Sequence, residues 1–232
     1  MSNSVIAIDG PAASGKSTIA QQVAEKIGAL YINTGNMYRA AAYAAVINNM
    51  DLDNMDEEKF SKFVKEIDVT YMLSPDRKLI LMLNGDAINL DLIRTSEVSQ
   101  NSSKIAASEV IRIWLVDEQR TFTKFGLIVM EGRDIGTNVF PEAKYKFFLT
   151  ASPEVRAMRR LKQDGETPAD STIKRIAKEI SERDKRDSSR KIAPLKQAND
   201  AILVDSSTMN IDEVVDTIVK SVSRRVRESV SP

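Results

Sequence analysis

Val5-Ile6-Ala7-Ile8 runs through Asp9 into Gly10-Pro11-Ala12-Ala13-Ser14-Gly15-Lys16-Ser17-Thr18, and the fold turns on how that stretch is read. Residues 10–17 complete a G-x-x-x-x-G-K-[ST] pattern directly behind a short apolar run. The glycines let successive backbone N–H groups turn inward as an anion-binding nest. A helix beginning near Lys16 aims the positive end of its dipole at the same spot. Lys16 is placed to reach the outer phosphates of a nucleoside triphosphate, and the Ser17 hydroxyl to ligate Mg²⁺. Gly10 to Thr18 are therefore expected to cradle a nucleotide's phosphate tail. A Gly-rich turn ahead of a helix is the plain alternative, and the strand before it and helix after it weigh against that reading.

Four more short apolar runs follow: Leu30-Tyr31-Ile32, Leu127-Ile128-Val129-Met130, Tyr145-Lys146-Phe147-Phe148-Leu149 and Ile202-Leu203-Val204. Nearly continuous apolar character marks strands buried on both faces, and the helical patterns between them argue a parallel sheet with right-handed crossovers. The first helix is expected over Lys16–Ile27, with Gly28 as a left-handed cap. A last helix is expected after Asn210, with Ile211, Val214, Val215, Ile218, Val222 and Val226 on one face. Arg224, Arg225 and Arg227 suit its negative end, and Pro232 is expected to be frayed. The long interval between Ile32 and Leu127 exceeds one crossover. Within it, residues 69–73 and 79–83 read as a hairpin about the polar turn Ser74-Pro75-Asp76-Arg77. Asn84-Gly85 then turns into a third short strand near Ala87-Ile88.

With 232 residues and 42% hydrophobic content, the chain can bury a full core. Lys+Arg and Asp+Glu both number 33, so no global charge recommends nucleic acid or an anionic membrane as partner. The absence of cysteine excludes disulfides and thiolate chemistry, and the absence of histidine leaves acid–base work to Asp, Glu, Lys or Tyr. No apolar run approaches a membrane span, so a soluble cytoplasmic protein is expected, and nothing demands more than a monomer. The guanine-binding N-K-x-D and switch D-x-x-G strings of GTPases are missing, as is L-S-G-G-Q.

Three clusters carry further chemistry. Arg156 to Lys191 holds 12 Lys+Arg against 7 Asp+Glu, with a Gly165/Pro168 break. After Ser171, an apolar seam of Ile176 and Ile180 continues onto Arg183, Asp187 and Arg190. Such a seam either ends in a solvated Arg183–Asp187 pair or turns its charges toward a phosphate-rich ligand. Glu131-Gly132-Arg133-Asp134 follows the third apolar run, where ligands of open parallel sheets bind. A carboxylate there suits metal-bound water, and an arginine there a phosphate fork. Asn33-Thr34-Gly35-Asn36-Met37-Tyr38-Arg39 reads alone as a helix start capped by Thr34 or Asn36, with Arg39 projecting from its first turns.

The strings GPAASGKS, NTGNMYRAA, SEVSQNSSKIAASEVIR, EGRDIGTNVFP, ERDKRDSSR and APL-x-x-A-x-D-A stand in order and at matching distances. Together they resemble the bacterial cytidylate kinase family from end to end. The resemblance implies an α/β, P-loop NTPase-type fold: a five-stranded parallel sheet flanked by helices, an enlarged monophosphate-binding domain carrying a three-stranded antiparallel insert, and a short lid near residues 157–168. It implies a core of about 1–33, 106–155 and 192–232, a monophosphate-binding part of about 34–105, and a lid with an arginine-rich helix of about 156–191. The implied activity is transfer of a phosphoryl group from ATP, with Mg²⁺, to CMP or dCMP. By the same resemblance Arg39, Arg133 and Arg190 surround the acceptor phosphate, and Ser103, Arg112 and Asp134 read cytosine. Thr34 lies by the base or sugar, Arg183 and Asp187 handle the pentose, and Lys16, Arg133, Arg183 and Arg186 serve phosphoryl transfer. Ser17 is the implied direct metal ligand. Asn33 and Glu131 stand where the family commonly has aspartate, which alters the acidic complement near the metal. A same-fold kinase acting on UMP or dTMP, or a nucleotide sensor without catalysis, are the competing readings.

Overall fold

The computed structural model describes residues 4–162 and 172–228. The Gly165/Pro168 break, the 163–168 part of the expected lid, and Pro232 lie outside the described residues.

Five parallel strands form the central sheet: β1 (Val5–Asp9), β2 (Leu30–Asn33), β6 (Ile128–Gly132), β7 (Tyr145–Thr150) and β8 (Ile202–Asp205), ordered β2-β6-β1-β7-β8. All five expected runs are strands. β6 starts one residue late, because Leu127 is partly exposed, and it continues through Glu131 and Gly132, which pair with Ile8 and Asp9. Strand alternation divides the core. Val5 and Ala7 face a cluster with Met37, Ile111 and Leu115, while Ile6 and Ile8 face Ile19, Val23, Val215 and Ile218. β1 is thus covered on both sides, which is why its sequence is apolar without interruption.

The second cluster is closed by α1 (Lys16–Ile27) and α8 (Ile211–Glu228). Gly28 ends α1 at φ 68°, as expected. Asn210 Oδ1 accepts from the Glu213 amide at 3.0 Å and Glu213 Oε2 accepts from the Asn210 amide at 2.8 Å, a reciprocal cap. Val214, Val215 and Ile218 are buried, but Ile211 is 48% exposed because it sits in the first turn, beside the cleft described below.

The long interval after β2 holds α2 (Thr34–Ile47), α3 (Glu57–Glu66), the sheet β3 (Val69–Leu73), β4 (Leu79–Leu83), β5 (Asp86–Ala87), then α4 (Ser96–Ile105) and α5 (Glu109–Thr121). The insert is antiparallel in the order β3-β4-β5. Asn84 and Gly85 both have positive φ, 52° and 84°, the signature of a tight hairpin turn. Val69, Tyr71 and Leu81 bury one face of this sheet, leaving Met72 and Ile80 exposed on the other. Tyr71 meets Phe122 edge-on at 5.7 Å and its hydroxyl donates to the Asn33 carbonyl at 3.1 Å, so the insert is anchored at the end of β2.

α6 (Pro153–Leu161) and α7 (Ile173–Ser188) occupy the described parts of the basic stretch. Ala157, Ile176 and Ile180 form a small apolar cluster with Ala12, which presses both helices onto the Gly10–Thr18 loop.

Candidate active site

The loop after β1 has the backbone its sequence demands. Gly10 lies so close to β7 that a Cβ there would fall 2.0 Å from the Leu149 carbonyl oxygen. Ala13 (φ 57°) and Gly15 (φ 91°) are left-handed, which bends the loop's amides toward one point. Gly15 caps α1 without a side chain and the first turn carries no acid, so the orphan N–H groups of this helix are open to an anion. Lys16 is buried; its Nζ donates to the Pro11 carbonyl at 2.6 Å and to Ser14 Oγ at 3.2 Å. Burial, aided by the positive charge of Arg133, pushes its pKa down to about 7. Ser17 and Thr18 are exposed at the mouth of the loop.

A cleft of about 1110 Å³ opens from this loop across the carboxyl ends of β1, β2 and β6. Ala12, Ala13, Ser14, Gly15, Lys16, Ser17, Thr18, Thr34, Arg39, Ser103, Arg112, Arg133, Asp134, Arg183, Asp187 and Arg190 all line it. The remaining expected residues do not. Gly10 and Pro11 stand behind the loop, where Gly10 permits close passage past β7 and Pro11 supplies the carbonyl that holds Lys16. Arg186 is exposed, because one step along a helix turns a side chain by about 100° away from the face that carries Asp187.

One end of the cleft is built around a buried ion pair. Arg112 Nη1 donates to Asp134 Oδ2 at 3.1 Å, with both side chains under 10% exposed. Arg112 Nε donates to the Ala106 carbonyl and its guanidinium lies 5.5 Å over the Tyr38 ring, so three contacts fix its plane. Asp134 Oδ2 also accepts from Asn138 Nδ2; among the described residues Oδ1 accepts nothing. Half-buried Ser103, on α4, lines the same cleft, and Thr34 Oγ1 donates to the Glu131 carbonyl at 2.8 Å.

Between that pair and the loop the arginines gather. Asp187 accepts from Arg133 Nε at 3.0 Å and from Arg190 Nη2, and the two cations hold its carboxyl below the usual range against the effect of burial. Arg39 donates to the Ile93 carbonyl at 3.1 Å and to Ser99 Oγ at 3.4 Å. Arg183 donates to Ser99 Oγ, not to Asp187 four residues on, and among the described residues its buried Nε has no partner. Burial and the neighbouring charge of Arg133 push Arg39 down to about 10 and Arg183 down to about 9. The seam from Ile176 to Arg190 therefore does turn its charges inward, and the solvated Arg183–Asp187 pair is not formed.

Residues 6–224 match the sequence model of the family described as cytidylate kinase. The chain belongs to the cytidylate kinase family. It is 43% identical over 221 residues to the cytidylate kinase of Ligilactobacillus salivarius (strain UCC118), covering 95% of this chain and 96% of that one. Identity to the cytidylate kinase of Bacillus subtilis (strain 168) is 42% over 222 residues, 96% of this chain and 97% of the relative. An uncharacterized protein from Eubacterium ventriosum, solved by crystallography, shares the fold with a TM-score of 0.54 at 14% identity, over 95% of this chain and 98% of that one. As a member of the cytidylate kinase family the chain is an enzyme, a kinase.

Several side chains that shape this kinase site carry no signal in the sequence reading. Asp9 is buried and accepts from the amides of Ile135 and Gly136, both at 2.8 Å, tying the loop's root to the turn that bears Asp134. Burial raises Asp9 to about 7, opposed by those two amides. Asp184 accepts from the Ala12 amide at 2.9 Å and from Arg156, which also donates to the Ala12 carbonyl, so α6 and α7 are bolted to the loop. Arg159 reaches the Ser14 carbonyl at 3.0 Å. The spacing of Arg156, Arg159 and Arg160, three and four residues apart, could have revealed their shared face. The cap of α2 is Asn33, whose Oδ1 accepts from the Asn36 amide at 3.1 Å, rather than Thr34 or Asn36, because the helix begins at Thr34 itself.

Asn33 and Glu131 are joined through Tyr31. Asn33 Nδ2 donates to Tyr31 Oη at 3.2 Å and reaches Ser17 Oγ at 3.5 Å, while Tyr31 donates to Glu131 Oε1 at 2.6 Å. Among the described residues no group of three or more acidic, histidine or cysteine ligands exists. A hard oxygen at Ser17, exposed at the loop's mouth, fits a magnesium ion held mainly by phosphates and water. No described helix is long and apolar enough to cross a membrane.

Proposed function

We propose that this kinase transfers the γ-phosphoryl group of ATP to CMP and dCMP, in line and without a covalent intermediate. The observation that carries the reading is the convergence, in one cleft, of the Gly10–Thr18 loop, five arginines (Arg39, Arg133, Arg160, Arg183 and Arg190) and the Arg112–Asp134 pair. A monophosphate's second pKa near 6 leaves its attacking oxygen anionic at neutral pH, so a chain without histidine lacks nothing the step needs. The barrier is charge. Two unit charges 4 Å apart repel by about 4 kcal/mol at an effective dielectric of 20. Lys16 and the arginine forks offset that repulsion and stabilise the spread charge of a loose transition state. Ser17 would hold Mg²⁺, which would supply further neutralisation of the donor phosphates.

Base choice falls to the buried pair. Asp134 Oδ1 accepts from the cytosine amine, while Arg112 and Ser103 donate to the ring acceptors. Uracil presents an acceptor where cytosine has the amine, leaving Asp134 facing a lone pair. Asp134→Ala, and Asp134→Asn as a gentler change that keeps the side chain's shape, are each expected to raise the CMP KM and to shrink the CMP/UMP ratio of kcat/KM by about 10- to 100-fold, the value of one lost discriminating contact. An unchanged ratio in both variants would remove Asp134 from base recognition.

The lowered pKa of Lys16 predicts proton uptake on nucleotide binding. Raising a pKa from about 7 means that the bound state carries more protons above pH 7. Uptake on binding MgADP is expected to approach about one proton at pH 8 and to fade toward pH 6. Calorimetry in buffers of different ionisation enthalpy measures it; uptake that does not change across this range counts against the assignment.

The same reading takes residues 34–105 as the acceptor domain, 156–168 as the lid that excludes water from the reacting groups, and a cytoplasmic monomer as the working form. A coupled assay of ADP release, run with every nucleoside monophosphate, tests the proposal directly. Turnover with UMP or dTMP alone would reassign the acceptor, and nucleotide binding without turnover would make the chain a sensor.

A further inference from the structure

Asn138 is half-buried and does not line the cleft, yet its side chain ends on a carboxyl that does. It stands in the single wide turn Ile135–Val139. Bonds of i→i+5 spacing close that turn, from the Val139 amide to the Asp134 carbonyl at 3.1 Å and from the Phe140 amide to the Ile135 carbonyl at 2.7 Å. The closure brings residue 138 back over residue 134, and the Asn138 amide donates to the Asp134 carbonyl at 2.8 Å. Both ends of the turn are pinned from outside. Asp9 accepts the Ile135 and Gly136 amides, and Arg120 of α5 donates to the Asn138 carbonyl at 3.0 Å and to the Val139 carbonyl at 3.2 Å. The backbone is thus held without the Asn138 side chain, which is left for another task. Its Nδ2 donates to Asp134 Oδ2 at 3.1 Å, the same oxygen that takes Arg112 Nη1. Only the nitrogen end of an amide can face a carboxylate oxygen, so the partner itself settles which way Asn138 points. Oδ2 therefore holds one donor from α5 and one from its own turn, while Oδ1 accepts nothing among the described residues.

We propose that Asn138 is a positioning residue for base choice: by sharing Asp134 Oδ2 with Arg112 it fixes the carboxyl plane and leaves Oδ1 alone to meet the acceptor's base. The inference rests on reading Asp134 as the partner of the cytosine amine. One donor sets the distance to a carboxylate oxygen but lets the carboxyl turn about that bond. Two donors on different elements fix its plane. A fixed Oδ1 rewards an amine and opposes a carbonyl. Once released, the carboxyl turns away from a uracil carbonyl and satisfies itself on Arg112. The wrong base then loses its penalty, and the right one must first recapture its partner.

The test measures kcat and KM for CMP and UMP at pH 8 in the full chain. The variants are Asn138→Leu, Asn138→Asp, Asp134→Ala and the double change of Asn138→Leu with Asp134→Ala. Asn138→Leu keeps the bulk and removes the donor. It is expected to raise the CMP KM and to shrink the CMP/UMP ratio of kcat/KM about three- to tenfold, with kcat for CMP unchanged. Asn138→Asp keeps the shape and sets an oxygen against Oδ2. It is expected to shrink the ratio at least as far, and it carries the test if the leucine variant does not fold. In the Asp134→Ala background, Asn138→Leu is expected to move the ratio less than about twofold, because a residue acting only through Asp134 has nothing left to position. A full effect in that background, a wild-type ratio in Asn138→Asp, or equal losses for CMP and UMP would each overturn the proposal. Asp134→Ala keeps the two readings apart. If it collapses the ratio while the Asn138 variants do not, this inference alone fails. If it leaves the ratio unchanged, the base-reading assignment fails and takes this inference with it.

Discussion

Lys16→Met is expected to lower kcat by about 10³-fold or more while the protein stays folded. The ammonium sits in a loop built to hold it, on the Pro11 carbonyl and Ser14 Oγ, and burial already drives it toward its neutral form. In the free protein a neutral side chain of similar length therefore sacrifices little, and the thermal midpoint is expected to be unchanged or raised. In the reaction the same substitution removes a positive charge from the point where negative charge develops. Arginine is not expected to rescue activity, since its planar fork is bulkier than the ammonium that the loop closes around at 2.6 Å. Steady-state kinetics with saturating ATP and CMP, set beside the unfolding midpoint, separates the two effects. Retained turnover would detach the loop from catalysis.

Arg183→Met comes next in size, with an expected fall in kcat of about 10²- to 10³-fold and no change in the preference for CMP over UMP. Arg183 belongs to the transfer end of the cleft: it touches Ser99 and lies in the charge field of Arg133, Asp187, Arg39 and Arg160, while Asp134 and Arg112 pair at the other end. Its buried Nε, which meets no partner among the described residues, is a burden on the free protein, because an unsatisfied buried donor costs about 1–3 kcal/mol. Removing that donor is expected to leave the midpoint equal or higher, so activity and stability move in opposite directions. Kinetics on both acceptors together with a melting curve checks this. A loss confined to one base would mean that Arg183 reads the nucleobase.

Much of this architecture is legible because burial on both faces of a parallel strand leaves a blunt trace. Five apolar runs gave five strands, and Asn84-Gly85 gave a hairpin turn whose two positive φ angles few other pairs adopt. Helices α3, α4 and α5 went unread, although Asp56, Thr95 and Ser108 cap them with their side chains. α3 and α4 are short and mostly polar, and their few buried residues, such as Phe60, Phe63 and Val98, barely outline a face, whereas α5 does carry a buried face of Ile111, Leu115 and Val116 at helical spacing. In the site, spacing along α7 put Asp187 on the seam of Ile176 and Ile180 but left open whether that seam meets solvent or a ligand, and did not say whom Asp187 meets. Its partners Arg133 and Arg190 come from the end of β6 and from beyond the helix, and a local pair with Arg183 loses to them. Ser99 is the extreme case: a serine in a polar helix has nothing to distinguish it until Arg39, Arg160 and Arg183 reach it from three other helices.

β1 occupies the middle of its sheet, bonded along both edges to β6 and β7 and covered on both faces. Its amides cannot open to water unless the sheet itself parts, so the loop that grows from it inherits a stiff footing. Arg133 follows directly on β6, whereas Arg39, Arg160 and Arg183 stand on α2, α6 and α7, outside the sheet. Thermal fluctuation is therefore distributed unevenly: one reactant rests against an anvil, and the other is carried by parts that can still adjust their aim.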